Sequence, residues 1–77
     1  MDRRHRIIEL IRQVSQKDLT PEPAESLFDS GLIDSFALAD LVSGLEREFG
    51  LTIPDSDLSP RKFDTVERIE QYLDSRA

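Results

Sequence analysis

Apolar residues along this chain fall into three stripes with helical spacing. Over residues 2–17, Ile7, Ile8, Leu10, Ile11 and Val14 recur, and positions 7, 11 and 14 lie on one face with polar residues mostly opposite. This predicts a first helix with Lys17 in its last turn, ahead of Pro21 and Pro23. Its basic start (Arg3, Arg4, His5, Arg6) opposes the helix dipole, so a solvated or frayed end is expected there. Over residues 35–49, Leu38, Leu41, Val42, Leu45 and Phe49 form the best-defined stripe. Asp34 stands ready as N-cap, and Gly50 supplies the left-handed stop. Val66, Ile69 and Leu73, with Tyr72 beside them, predict a last helix starting near Asp64, where Asp64 and Glu67 have capping-box spacing.

The connections are read from turn chemistry. Residues 18–33 make a long link in which Leu19, Leu27, Phe28, Leu32 and Ile33 are natural anchors into a core. A short helical turn is expected over residues 24–28. Residues 51–54 read as extended, because the residue before Pro54 avoids the helical region, and residues 55–58 as one short turn. The sum is an all-α bundle of three main helices plus a short one, in a single domain over residues 1–77.

Composition narrows the chemistry. The 77 residues contain no cysteine, which removes disulfides, thiolate metal sites and a cysteine nucleophile. No export signal and no apolar run long enough to span a membrane is present. The net charge of −6 is unevenly placed: residues 18–57 hold ten acids against one base, for −9, and the remainder six acids against nine bases, for +3. An acidic middle argues against nucleic acid, which needs a basic footprint. It favours partners with basic docking surfaces, recruited by charge steering.

Enzyme sites do not assemble in this pattern. The single histidine, His5, is remote in sequence from any candidate serine nucleophile, and no Gly-x-Ser-x-Gly elbow occurs. Asp55-Ser56-Asp57 opens like a calcium loop, but Pro60 and Val66 stand where glycine and a bidentate glutamate are needed. The expected metal set is therefore empty. What remains is Ser35, whose hydroxyl falls in the first turn of the second helix, where free N–H groups and the dipole favour an attached phosphate. A serine there without a neighbouring base suits modification by another enzyme. The bland reading is a serine that only helps to cap.

The run from Leu32 to Pro54, containing Asp34-Ser35-Phe36, Leu41-Val42, Leu45-Glu46, Glu48-Phe49-Gly50 and Ile53-Pro54, resembles the acyl and peptidyl carrier proteins. Phe63-Asp64-Thr65-Val66 to Ile69 is similar to the entry into that family's last helix. The resemblance implies a four-helix bundle of the acyl-carrier type. It implies a non-catalytic carrier with 4′-phosphopantetheine on Ser35, Asp34 as its motif neighbour, and an acyl or aminoacyl thioester on the arm. Implied partners are a phosphopantetheinyl transferase using coenzyme A, an adenylating acyl or aminoacyl ligase, and downstream acyl-transferring or condensing enzymes. They would meet a docking face of Phe36, Ala39, Asp40, Ser43, Glu46 and Arg47. A free-standing cytoplasmic monomer is expected. Phe36 replaces the commoner Leu or Met, Ala39 and Ser43 are small where larger apolar residues are frequent, and Arg47 interrupts the acidic stretch. These departures imply a dedicated partner set, and residues 57–64 look closer to aminoacyl and peptidyl carriers, the D-alanyl type included. The competing expectation is an unmodified helical interaction module that uses only the acidic second helix.

Overall fold

The computed structural model describes residues 3–76. Helix α1 covers Arg3–Ser15, α2 Ser35–Phe49 and α3 Val66–Arg76, with a single 3-10 turn at Asp55–Asp57. Among the described residues there is no strand, so the chain is all-helical as the stripes predict. The expected helix start at position 2 lies outside the described residues.

Each stripe points where its periodicity requires. Ile7 and Ile11 of α1, Leu38, Leu41, Val42 and Leu45 of α2, and Val66, Ile69, Tyr72 and Leu73 of α3 are buried in one cluster. Leu27, Leu32 and Ile33 from the long connection and Ile53 and Phe63 from the later one complete it. Each such aliphatic side chain contributes about 1.5–3 kcal/mol when fully buried. Phe63 closes the core against α3, its ring centroid 5.1 Å from that of Tyr72.

Helix α1 packs against both others, while α2 and α3 make no close backbone approach to each other. Contacts set the directions. Arg6 pairs with Glu48 at 3.0 Å, and Leu10 lies so close to Gly44 that a Cβ there would sit 3.0 Å from its Cδ2. Arg4 reaches Glu70 at 2.6 Å and Arg3 reaches Asp74 at 2.5 Å. In both pairs of helices the numbering runs oppositely, so α1 is antiparallel to α2 and to α3. It follows that α2 and α3 run parallel, with their N-termini at the same end of the bundle.

Several sequence expectations are corrected here. The arginines at the start of α1 are interhelical ties to the acids of α2 and α3, with Arg6 also 4.8 Å over the Phe49 ring. Helix α1 ends at Ser15, two residues before Lys17, because Gln16 turns left-handed at φ 58°. Leu19 is 57% exposed and is not a core anchor; Pro21 supplies the buried contact in that stretch. The turn expected over residues 24–28 forms slightly later, where Ser30 N–H donates to the Ser26 carbonyl and Gly31 N–H to that of Phe28. Helix α3 starts at Val66, and Thr65 caps it by accepting from the Arg68 N–H at 3.0 Å. Asp64 is occupied elsewhere: its carboxylate accepts from the Ser26 hydroxyl at 2.7 Å and the Phe28 N–H at 3.4 Å.

Candidate functional site

Helix α2 begins as its sequence directs. Asp34 is extended (φ −116°, ψ −175°), and its carboxylate accepts from the Ala37 N–H at 2.8 Å while its carbonyl accepts from Leu38 N–H at 2.9 Å. That geometry is an N-cap, and it satisfies two donors of the first turn. At the far end Gly50 adopts φ 65° and donates to the Glu46 carbonyl. The αL conformation suits glycine, which has no Cβ to clash.

Capping leaves an open place. Ser35 is exposed, and among the described residues its hydroxyl has no hydrogen-bond partner. The N–H groups of Ser35 and Phe36 likewise find no acceptor there. Two free donors at the positive end of a helix dipole beside an unengaged hydroxyl fit a phosphate ester well, by about 0.3–1 kcal/mol for an exposed site. Phe36, next along, is 86% exposed, although a phenyl ring in water forfeits burial energy that other large side chains of this chain collect.

The remaining candidates divide over the surface of α2. At about 100° per residue, Ala39 and Glu46 share the flank of Ser35, while Asp40 and Arg47 lie toward the opposite flank, with Phe36 and Ser43 between. Asp40, Ser43 and Arg47 line a polar groove of about 670 Å³ between α1 and α2, together with Glu9 and Gln13 of α1 and Gln16 just beyond it. Ser35 is outside that groove. Glu46 is half-buried, and its carboxylate accepts from the Ile53 N–H at 2.8 Å, tying the segment after α2 back onto the helix. Periodicity could not show that role, since the bond crosses the left-handed turn at Gly50.

A second polar network escaped the sequence reading. Asp57 accepts from Lys62 at 2.8 Å and from the Tyr72 hydroxyl at 2.8 Å, with Arg76 at 4.0 Å. The Lys62 hydrogen bond, followed by that of Tyr72, holds the Asp57 carboxyl below the usual range. Burial and the same Asp57 bond push the Tyr72 phenol up. The Asp-Ser-Asp spelling alone suggested a failed calcium loop; its partners lie 5 and 15 residues away.

Among the described residues no basic side chain hydrogen-bonds to Ser35. His5 sits near the start of α1, which the antiparallel packing places beside the end of α2, about 20 Å from its beginning at 1.5 Å per residue. No group of three or more potential metal ligands gathers among the described residues. No described helix is long and apolar enough to cross a membrane. The site offers an exposed hydroxyl handle and an anion-favouring helix start.

Comparison with known proteins shows the family. The family described as "Phosphopantetheine attachment site" matches residues 5–73. The chain belongs to this family of phosphopantetheine carrier proteins, whose cofactor is covalently attached 4′-phosphopantetheine. Its relatives share most of their length with it. Aminoacyl carrier protein 1 of Bradyrhizobium diazoefficiens is 37% identical over 77 residues, covering 94% of this chain and 82% of that protein. The D-alanyl carrier protein of Bacillus pumilus is 31% identical over 74 residues, covering 95% of each. That of Lactobacillus acidophilus is 27% identical over 75 residues, covering 97% and 95%.

Proposed function

We propose that Ser35 carries the phosphopantetheine arm and that the chain shuttles an aminoacyl group between enzymes without catalysing its transfer. The observation that carries this reading is the exposed, unpartnered Ser35 hydroxyl in the first turn of α2, directly after the capping Asp34. A phosphopantetheinyl transferase would join the Ser35 oxygen to the phosphorus of the pantetheine phosphate in coenzyme A. The bond to the adenosine bisphosphate portion breaks, and the hydroxyl proton leaves to a base supplied by the transferase. When bound, the arm supplies the terminal thiol that this cysteine-free chain lacks and holds the load as a thioester.

The chain's own residues then have limited tasks. The free N–H groups of Ser35 and Phe36 favour the phosphodiester charge, and Asp34 holds the helix start rigid by capping it. Phe36 offers an apolar contact to the transferase and to an adenylating ligase, and Asp34 and Asp40 add charge steering, which supplies speed more than tight affinity. The relatives named for aminoacyl and D-alanyl groups support an aminoacyl load over a fatty one. Dependence on coenzyme A fits a cytoplasmic site of loading.

Incubation with coenzyme A and a broad-specificity transferase should convert the wild-type chain to a single phosphopantetheinyl adduct by intact-mass measurement. Ser35→Ala should gain none while keeping its helical spectrum. An unmodified interaction module would instead show no adduct in either chain.

A further inference from the structure

The polar surface of α3 is segregated by charge. Glu70 and Asp74 face α1, where Arg4 and Arg3 neutralise them. The other flank gathers cations around a shallow cavity of about 600 Å³: Arg61, Lys62, Arg68 and Arg76, with Gln71, against the single carboxylate of Asp57. Those lining charges sum to +3 in a chain whose total is −6. Lys62 and Arg76 are engaged with Asp57, but the Arg61 guanidinium has no partner among the described residues. Arg68 donates to the Arg61 carbonyl at 2.9 Å, which ties its side chain to the backbone just ahead of the start of α3. Because α2 and α3 run parallel, that start is at the same end of the bundle as Ser35.

We propose that this basic flank is a second docking surface, and that it receives an acidic segment of a partner protein. The inference rests on the carrier reading, since it describes an enzyme that engages this end of the bundle. Charge selects the occupant. A row of separate Asp and Glu side chains can meet Arg61 and Arg68 individually, each in forked geometry. A compact phosphate would have to share the cavity with Asp57, and the acidic stretch over residues 18–57 repels a nucleic-acid backbone. A partner matched to this carrier therefore presents both signs: cations for Asp34 and Asp40 on α2, and anions for Arg61 and Arg68. A carrier that is acidic throughout would meet repulsion from such an acidic segment, so the arrangement discriminates between carriers.

The test is a titration of the isotope-labelled full chain, followed by amide NMR, with a hepta-aspartate peptide. Saturable shifts confined to residues 61–76 are expected, and they should fade as salt is raised. The double variant Arg61→Glu/Arg68→Glu should weaken binding by about tenfold or more. Arg61→Gln/Arg68→Gln, which keeps polar side chains of similar reach, should also weaken it. The Ser35→Ala chain should titrate like wild type, which separates failure of this surface from failure of the arm. Absence of saturable shifts, shifts that survive both double variants, or tighter binding of inorganic tripolyphosphate than of the peptide would each overturn the proposal.

Discussion

Asp34 and Asp64 stand in equivalent places in the sequence, each just ahead of an amphipathic helix, yet they end in opposite situations. Asp34 turns its carboxylate onto its own helix and leaves Ser35 and Phe36 uncovered. Asp64 is claimed by the long connection: Ser26 and Phe28 donate to its carboxylate and Leu27 to its carbonyl at 2.6 Å. Thr65 then caps α3, and the Pro23 carbonyl takes the Glu67 N–H at 3.1 Å. One helix start is built into the architecture, whereas the other is left open to another molecule. Availability, more than residue type, separates the two helix starts.

Substitutions can sharpen that contrast. The largest effect is expected from Phe63→Ala, which empties a fully buried site beside α3 and should cost about 3–5 kcal/mol in urea denaturation. Asp64→Ala strands the Ser26 hydroxyl and the Phe28 N–H and should cost about 1–3 kcal/mol. Asp34→Ala loses only a cap, for about 1 kcal/mol, and should slow modification of Ser35 by loosening the first turn. Phe36→Ala should change stability by less than about 0.5 kcal/mol, because the ring is almost wholly in water. If Phe36→Ala proved as damaging as Phe63→Ala, the open end would be a structural one and the contrast would fail.

Acid and base should act on the α3 side of the molecule through Asp57 and Tyr72. The folded chain holds the Asp57 pKa below its unfolded value, so its contribution is complete above about pH 4 and disappears as pH falls through the lower folded value. The stability gap between wild type and Asp57→Asn should therefore close on acidification. Tyr72 has the opposite sense: its raised pKa means that the unfolded chain ionises first, so stability should fall above about pH 10. Melting curves across pH for both chains, and for Tyr72→Phe, would show whether the two limbs separate as stated.

The sequence revealed α2 almost completely, because every cue for it is local. Its stripe, its cap at Asp34 and its glycine stop lie within a few residues of one another, and the helix runs Ser35–Phe49 as expected. The placement of Ser35 in the first turn was legible for the same reason. What stayed hidden depends on distant partners: Asp64 bonds across 38 residues to Ser26, Arg6 across 42 to Glu48, and Arg4 across 66 to Glu70. Leu19 was misread because hydrophobicity alone cannot tell which of several apolar loop residues the core has room for. The inward role of Glu46 was hidden by the turn at Gly50 that brings Ile53 back to it.

The central claim is that the uncovered start of α2 is where the arm is attached. Tandem mass spectrometry on peptides from the chain treated with coenzyme A and a transferase tests it most directly, since seven other serines compete for the assignment, at 15, 26, 30, 43, 56, 59 and 75. The pantetheine-bearing fragment series is expected on Ser35 alone. An adduct localised to any other serine, or a fully modified Ser35→Ala chain, would contradict it.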